Sequence, residues 1–204
     1  MSETRELFEY MDGNTTALII LHEIYGINDF IKDSCRQYHE EGYDVFCPNL
    51  FCRQAAFPYT KAEEAYHAYR STVGFDAYRE IDLLAAQLKQ RYAKVLVLGF
   101  SVGATLAWRC SESPFYDGII CCYGSRIRDY LTVAPNCPVL LIFAEQDSFD
   151  VAGTAIRLRS KKYTAVERID GKHGFADCYS ENYSQPGAAL LDKLRKDFWA
   201  ACTE

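Results

Sequence analysis

Apolar positions along the chain follow two rhythms. In segments 16–21, 43–47, 94–98, 118–122 and 139–143 they are nearly continuous. Each predicts a strand, and the unbroken runs 118–122 and 139–143 predict strands buried on both faces of a sheet. Elsewhere apolar residues recur at helical spacing, which predicts helices over 28–41 (stopped by Gly42), 75–91, 151–161 and 185–201. Thr60-Lys61-Ala62-Glu63 has the spacing of a capping box and predicts another helix start. A further strand is expected over 164–169, and Pro48 closes the strand 43–47. Asp12-Gly13-Asn14 lies between the apolar runs 6–11 and 16–21, which predicts a hairpin and an antiparallel edge. Strands alternating with helices predict an α/β chain, a doubly wound and mainly parallel sheet with helices on both faces. Its length of 204 residues fits one domain, 1–204.

One junction in this pattern carries chemistry. The run 94–98 is followed by Gly99-Phe100-Ser101-Val102-Gly103 and then by the helix-like 104–108. Strand, sharp turn and helix around G-x-S-x-G is the context of a nucleophile elbow. The flanking glycines let strand and helix pass closely, and the serine stands at a helix N-terminus, where the Val102 amide faces the same space as an anion donor. Ligands of such sheets bind beyond the carboxyl ends of the strands, where this serine is placed.

A serine needs a base, and the base needs an orienting group. Of four histidines, His39 and His67 fall in predicted helices and His22 ends the first parallel strand. His173 lies in the glycine-flanked loop Asp170-Gly171-Lys172-His173-Gly174-Phe175, after the last strand, and is the candidate base. After the 139–143 strand come Glu145, Asp147 and Asp150. Asp147 is the candidate orienting acid, Asp150 a candidate helix cap and Glu145 a solvated charge. The chain order Ser101, Asp147, His173 is that of α/β-hydrolases.

Composition narrows the partners. Apolar content of 49% and charged content of 25% are ordinary for a globular chain, and the net charge is −6 without a basic patch, which disfavours nucleic acid. No apolar run is long enough to span a membrane, and the first residues do not read as a signal peptide. Nine cysteines form no C-x-x-C pair, so free thiols in a reducing, cytoplasmic compartment are expected, without disulfides or metal.

At this point the chain resembles the dienelactone hydrolase family of α/β-hydrolases. The resemblance rests on Leu21-His22-Glu23-Ile24-Tyr25-Gly26-Ile27-Asn28, on Cys47-Pro48-Asn49-Leu50-Phe51-Cys52-Arg53-Gln54, and on Gln146-Asp147 and His173-Gly174-Phe175. It implies a second oxyanion donor at the Ile24 amide, beside Val102. It also implies that Glu23, otherwise legible only as a strand-end charge, points at the nucleophile and modulates its protonation. Two departures stand out. The family's lactone-cleaving members carry cysteine at the elbow, where this chain has Ser101. Their substrate-holding arginine pair is matched by Ala62 and Asp177, which predicts neutral substrates in preference to carboxylated ones.

The resulting expectation is a serine hydrolase of small esters, lactones or thioesters, with an α/β-hydrolase fold, minimal or no lid over Arg53 to Ala62, and no cofactor. Tyr25, Tyr66 and Phe100 are candidate substrate-pocket residues. The aromatics of 57–78 divide between pocket and core. Acyl transfer or amide cleavage on the same residues, or a silent binding domain, are the alternatives. A monomer or small homo-oligomer is expected.

Overall fold

The computed structural model describes residues 6–51, 53 and 55–203. Cys52 and Gln54 of the motif quoted above, and the first five residues, lie outside them. Seven strands form one sheet: β1 (Leu7–Tyr10), β2 (Thr16–Leu21), β3 (Asp44–Pro48), β4 (Lys94–Phe100), β5 (Gly118–Cys122), β6 (Val139–Gln146) and β7 (Thr164–Lys172). Their spatial order is β1-β3-β2-β4-β5-β6-β7, and every pair is parallel except β1 with β3. The described residues form six α-helices, α1 (Asp29–Glu40), α2 (Ala62–Thr72), α3 (Tyr78–Leu88), α4 (Val102–Cys110), α5 (Val151–Arg159) and α6 (Gln185–Thr203), the last of which follows β7.

The continuous apolar runs have the cause expected of them. Ala17, Ile19 and Leu21 of β2 pack with residues of α3, α4 and α5 on one face of the sheet. Leu18 and Ile20, one position out of phase, pack with Phe30 and Ile31 of α1 and with Leu191 and Trp199 of α6 on the other. A strand covered on both sides has no position for a polar side chain, and burying a leucine or isoleucine there stabilises the fold by roughly 1.5–3 kcal/mol.

Two local expectations fail. The hairpin does not form, because β1 pairs with β3 and not with β2. Asp44, almost wholly buried at the start of β3, accepts hydrogen bonds from the Asp12 and Asn14 amides, the Asn14 side chain and the Tyr92 hydroxyl. The Asp-Gly-Asn turn is thereby bound to β3, and β1 follows it. The capping box is also absent. A 3₁₀ turn over Tyr59–Lys61 runs into α2, whose first turn has no side-chain cap.

Candidate active site

The turn from β4 into α4 is tight enough to dictate its sequence. Ser101 has φ of +53°, a left-handed conformation costly for a residue with a side chain. A methyl group on Gly103 would collide with the carbonyl oxygen of Leu21 and lie 2.7 Å from that of His22. One on Gly99 would collide with the carbonyl of Gly103 and lie 2.7 Å from the Ala104 amide nitrogen. Both glycines are therefore required by close approach, and the serine is thrust out at the carboxyl edge of the central strand.

Three loops bring partners to it. His173 follows β7, and its Nε2 lies 2.9 Å from Ser101 Oγ. Asp147 follows β6, and its Oδ2 lies 2.8 Å from His173 Nδ1. The other oxygen of Asp147 accepts from the Ser148 amide at 2.6 Å and from the Ser148 hydroxyl. Burial alone would raise the pKa of Asp147, but the imidazole and Ser148 outweigh it and hold this carboxyl below the usual range. Burial alone would lower that of His173, but Asp147, with help from Glu23, raises it above the usual 6.5. Asp150 caps α5 by accepting from the Gly153 amide, and Glu145 is exposed near Arg168, as their sequence positions suggested.

The remaining histidines stand apart from this contact. His22 is fully buried, with Nε2 accepting from the Leu50 amide at 3.1 Å and Nδ1 lying 2.6 Å from the Glu23 carbonyl. An acceptor at Nε2 makes Nδ1 the donor in a neutral ring, so His22 braces the β2 loop. His39 sits against Asp12 and Tyr43, and His67 is exposed on α2.

Ser101 and His173 open into a cleft of about 580 Å³, which Ile24, Val102 and Tyr66 also line. Two of the candidate pocket residues belong elsewhere. Phe100 is buried in the core, edge-on to Phe30, because it ends the buried strand β4. Tyr25 packs on Tyr59 and lines a separate pocket of about 250 Å³ with Arg53 and Phe57. Of the aromatics over 57–78, Phe57, Tyr69 and Phe75 are core.

Glu23 is 5% exposed, and its Oε1 has no hydrogen-bond partner among the described residues. Burial pushes its carboxyl up to about 7, with Asp177 adding to the rise and His173 and Tyr123 opposing it. Asp177 is fully buried and does not face the cleft. It accepts from the Tyr59 hydroxyl at 2.5 Å and from the Tyr179 amide, and so closes the loop that carries His173. Asn28, which caps α1, donates to the same Tyr59 oxygen.

Two neighbours of His173 had no recognised signal in the sequence. Tyr123, at φ of +43° just after β5, sets its ring edge-on to the imidazole with centroids 5.2 Å apart. Asn182 donates to the His173 carbonyl at 3.0 Å. A left-handed tyrosine leaves no mark of the kind a glycine would, and an asparagine nine residues downstream reads as ordinary loop.

Known proteins share this arrangement of strands. The profile of the dienelactone hydrolase family matches residues 8–200. The chain belongs to the dienelactone hydrolase family. It is accordingly a hydrolase acting on ester bonds. It is similar to YczH of Bacillus subtilis (strain 168), with 40% identity over 78% of this chain and 80% of that protein. It is also similar to a carboxymethylenebutenolidase of Pseudomonas putida, 27% identical over 90% of this chain and 84% of that one. Among solved structures, a Klebsiella pneumoniae protein provisionally designated a dienelactone hydrolase superimposes with a TM-score of 0.77 at 20% identity, covering 94% of this chain and 89% of that one. No described helix is long and apolar enough to cross a membrane.

Proposed function

We propose that this dienelactone hydrolase family member is a serine hydrolase of small esters, lactones or thioesters, with Ser101 as nucleophile, His173 as general base and Asp147 as orienting acid. Ser101 Oγ adds to the substrate carbonyl while its proton passes to His173 Nε2. The tetrahedral oxyanion is held by the Ile24 and Val102 amides, from the β2 loop and the first turn of α4. Its collapse expels the alcohol or thiol, which takes the proton from His173 and leaves an acyl group on Ser101. Water, deprotonated by the same histidine, then releases the acid. Glu23, uncharged below about pH 7 and charged above it, modulates the imidazole from behind. Lactones enter this reading through the similarity to a carboxymethylenebutenolidase. The eight described cysteines are all free thiols, which supports a cytoplasmic location.

The observation that carries the reading is the 2.9 Å contact between Ser101 Oγ and His173 Nε2, at a serine held in a strained left-handed turn. Strain of this kind persists where the surrounding structure enforces it, and it gathers at functional positions. A fluorophosphonate probe tests it. Wild type should be labelled at Ser101 and Ser101→Ala should not, with ester turnover falling by about 10⁶-fold. Labelling elsewhere, or a tenth of the activity surviving in the variant, rejects Ser101 as the nucleophile.

A further inference from the structure

We propose that the cleft at Ser101 binds its substrate through a dianionic phosphate group, held by Arg126, Arg128 and Lys172. The inference rests on reading this cleft as the site of ester hydrolysis and names the class of ester it takes. All three cations line the cleft together with Ser101 and His173. Arg126 and Arg128 come from the 3₁₀ turn Ser125–Asp129 that follows β5. Lys172 ends β7, one residue before His173. In a chain of net charge −6, three cations in one cleft depart from the average surface.

The cations are not spent on the protein's own acids. Asp147 is the one carboxylate among the described residues lining the cleft, and it is engaged by His173 and Ser148. Arg126 Nη2 is fixed by Asp129 at 2.6 Å, while its Nε is buried and has no hydrogen-bond partner among the described residues. The Arg126 side chain nonetheless lines the cleft with 31% of its surface exposed, and a guanidinium there offers an oxyanion charge-assisted hydrogen bonds. Arg128 donates to the Ser125 carbonyl at 2.5 Å, with its guanidinium over the Phe149 ring. Those contacts hold it in place without neutralising it.

The charge count favours phosphate over carboxylate. Asp129 balances Arg126, and neither Arg128 nor Lys172 has an ion-pair partner among the described residues, which leaves two positive charges. A phosphate monoester carries roughly −1.5 to −2 charges at pH 7 on three acceptor oxygens, whereas a carboxylate brings one charge and two oxygens. The neutral-substrate expectation rests on the missing arginine pair at Ala62 and Asp177. The cations proposed here sit at other positions and reverse it.

The test compares 2-acetoxyethyl phosphate, its neutral dimethyl ester and 3-acetoxypropanoate, with acetate release giving kcat/KM for each at low ionic strength. Wild type should favour the phosphate over its dimethyl ester by roughly tenfold or more. The ratio should fall as salt is added. It should approach one in Arg128→Gln/Lys172→Met and hold in Lys193→Met, a remote exposed lysine on α6. Should the double variant not fold, Lys172→Met alone, at an exposed side chain, must still lower the ratio. A wild-type ratio of one or less, a ratio unmoved in the variants, or a carboxylate cleaved better than the phosphate overturns the proposal. If the dimethyl ester is cleaved through Ser101 without any phosphate advantage, the proposal alone fails. If no acetate is released from any of the three, the hydrolase reading fails and takes the proposal with it.

Discussion

At the scale of single residues, the chemistry of the cleft is governed by which group holds the proton. In the proposed mechanism His173 acts as base only when neutral, and its pKa lies above 6.5 because Asp147 and Glu23 favour the imidazolium against the effect of burial. Activity should therefore rise with pH through an inflection above 6.5. Glu23→Gln removes a charge that raises the imidazole, so it should move that inflection down. Asp147→Asn should cost about 10⁴-fold in turnover, because the ring loses its fixed tautomer. A kcat/KM profile over pH 5–9 for the three proteins checks this, and an inflection unmoved by Glu23→Gln would remove Glu23 from the electrostatics of the site. The contacts that join Ser101, His173 and Asp147 were legible because each of the proposed roles has few candidate residues in a chain with four histidines. Phe100 was misplaced because an aromatic inside the elbow motif reads equally as pocket wall or as the last residue of a buried strand. The burial of Asp177 against Tyr59 is not legible in the sequence, since that bond spans 118 residues and has no local signature.

At the scale of elements, the elbow works because β4 and α4 pass within contact of β2. Gly103→Ala places a methyl group against the Leu21 and His22 carbonyls, backbone that cannot give without moving the loop that presents Ile24. Overpacking of this kind should cost about 1–3 kcal/mol in unfolding free energy. Ester hydrolysis should fall further than stability does, because the proposed oxyanion donors, the Ile24 and Val102 amides, would be displaced. Urea unfolding beside kcat/KM measures both, and a variant with unchanged activity would show that the strand–helix approach does not set the site. The glycines of this turn were readable because their need is local. The partner of β1 was not readable, since it is decided by Asp44, thirty residues beyond the Asp-Gly-Asn turn that it binds. Element types could be inferred from apolar rhythm, and element partners needed a buried carboxylate whose role no rhythm displays.

At the scale of the molecule, a mainly parallel sheet was inferable because its inner strands, such as β5 and β6, are continuous apolar runs that admit few other burials, whereas β1 and β7 at the edges keep exposed positions. The class of hydrolase was inferable from motifs at the strand ends. The shape of the cleft was not, because its cations come from a turn after β5 and from the end of β7, which the sequence does not show to be neighbours. Between β3 and α2 the chain is too short to form a large lid, and the cleft of about 580 Å³ lies open beside Tyr66. Turnover of p-nitrophenyl esters should therefore peak at short acyl chains, and a maximum at twelve carbons or more would contradict this shape. The central claim is that an acyl group passes through Ser101. Mixing the enzyme with p-nitrophenyl acetate, quenching in acid within the first turnover and mapping the peptides by mass spectrometry tests it most directly. The account predicts one acetyl group on Ser101, absent in Ser101→Ala and accumulating in His173→Ala only if added imidazole restores the base. An acetyl group on a cysteine or lysine instead, with Ser101 unmodified while p-nitrophenol is released at the full rate, would contradict it.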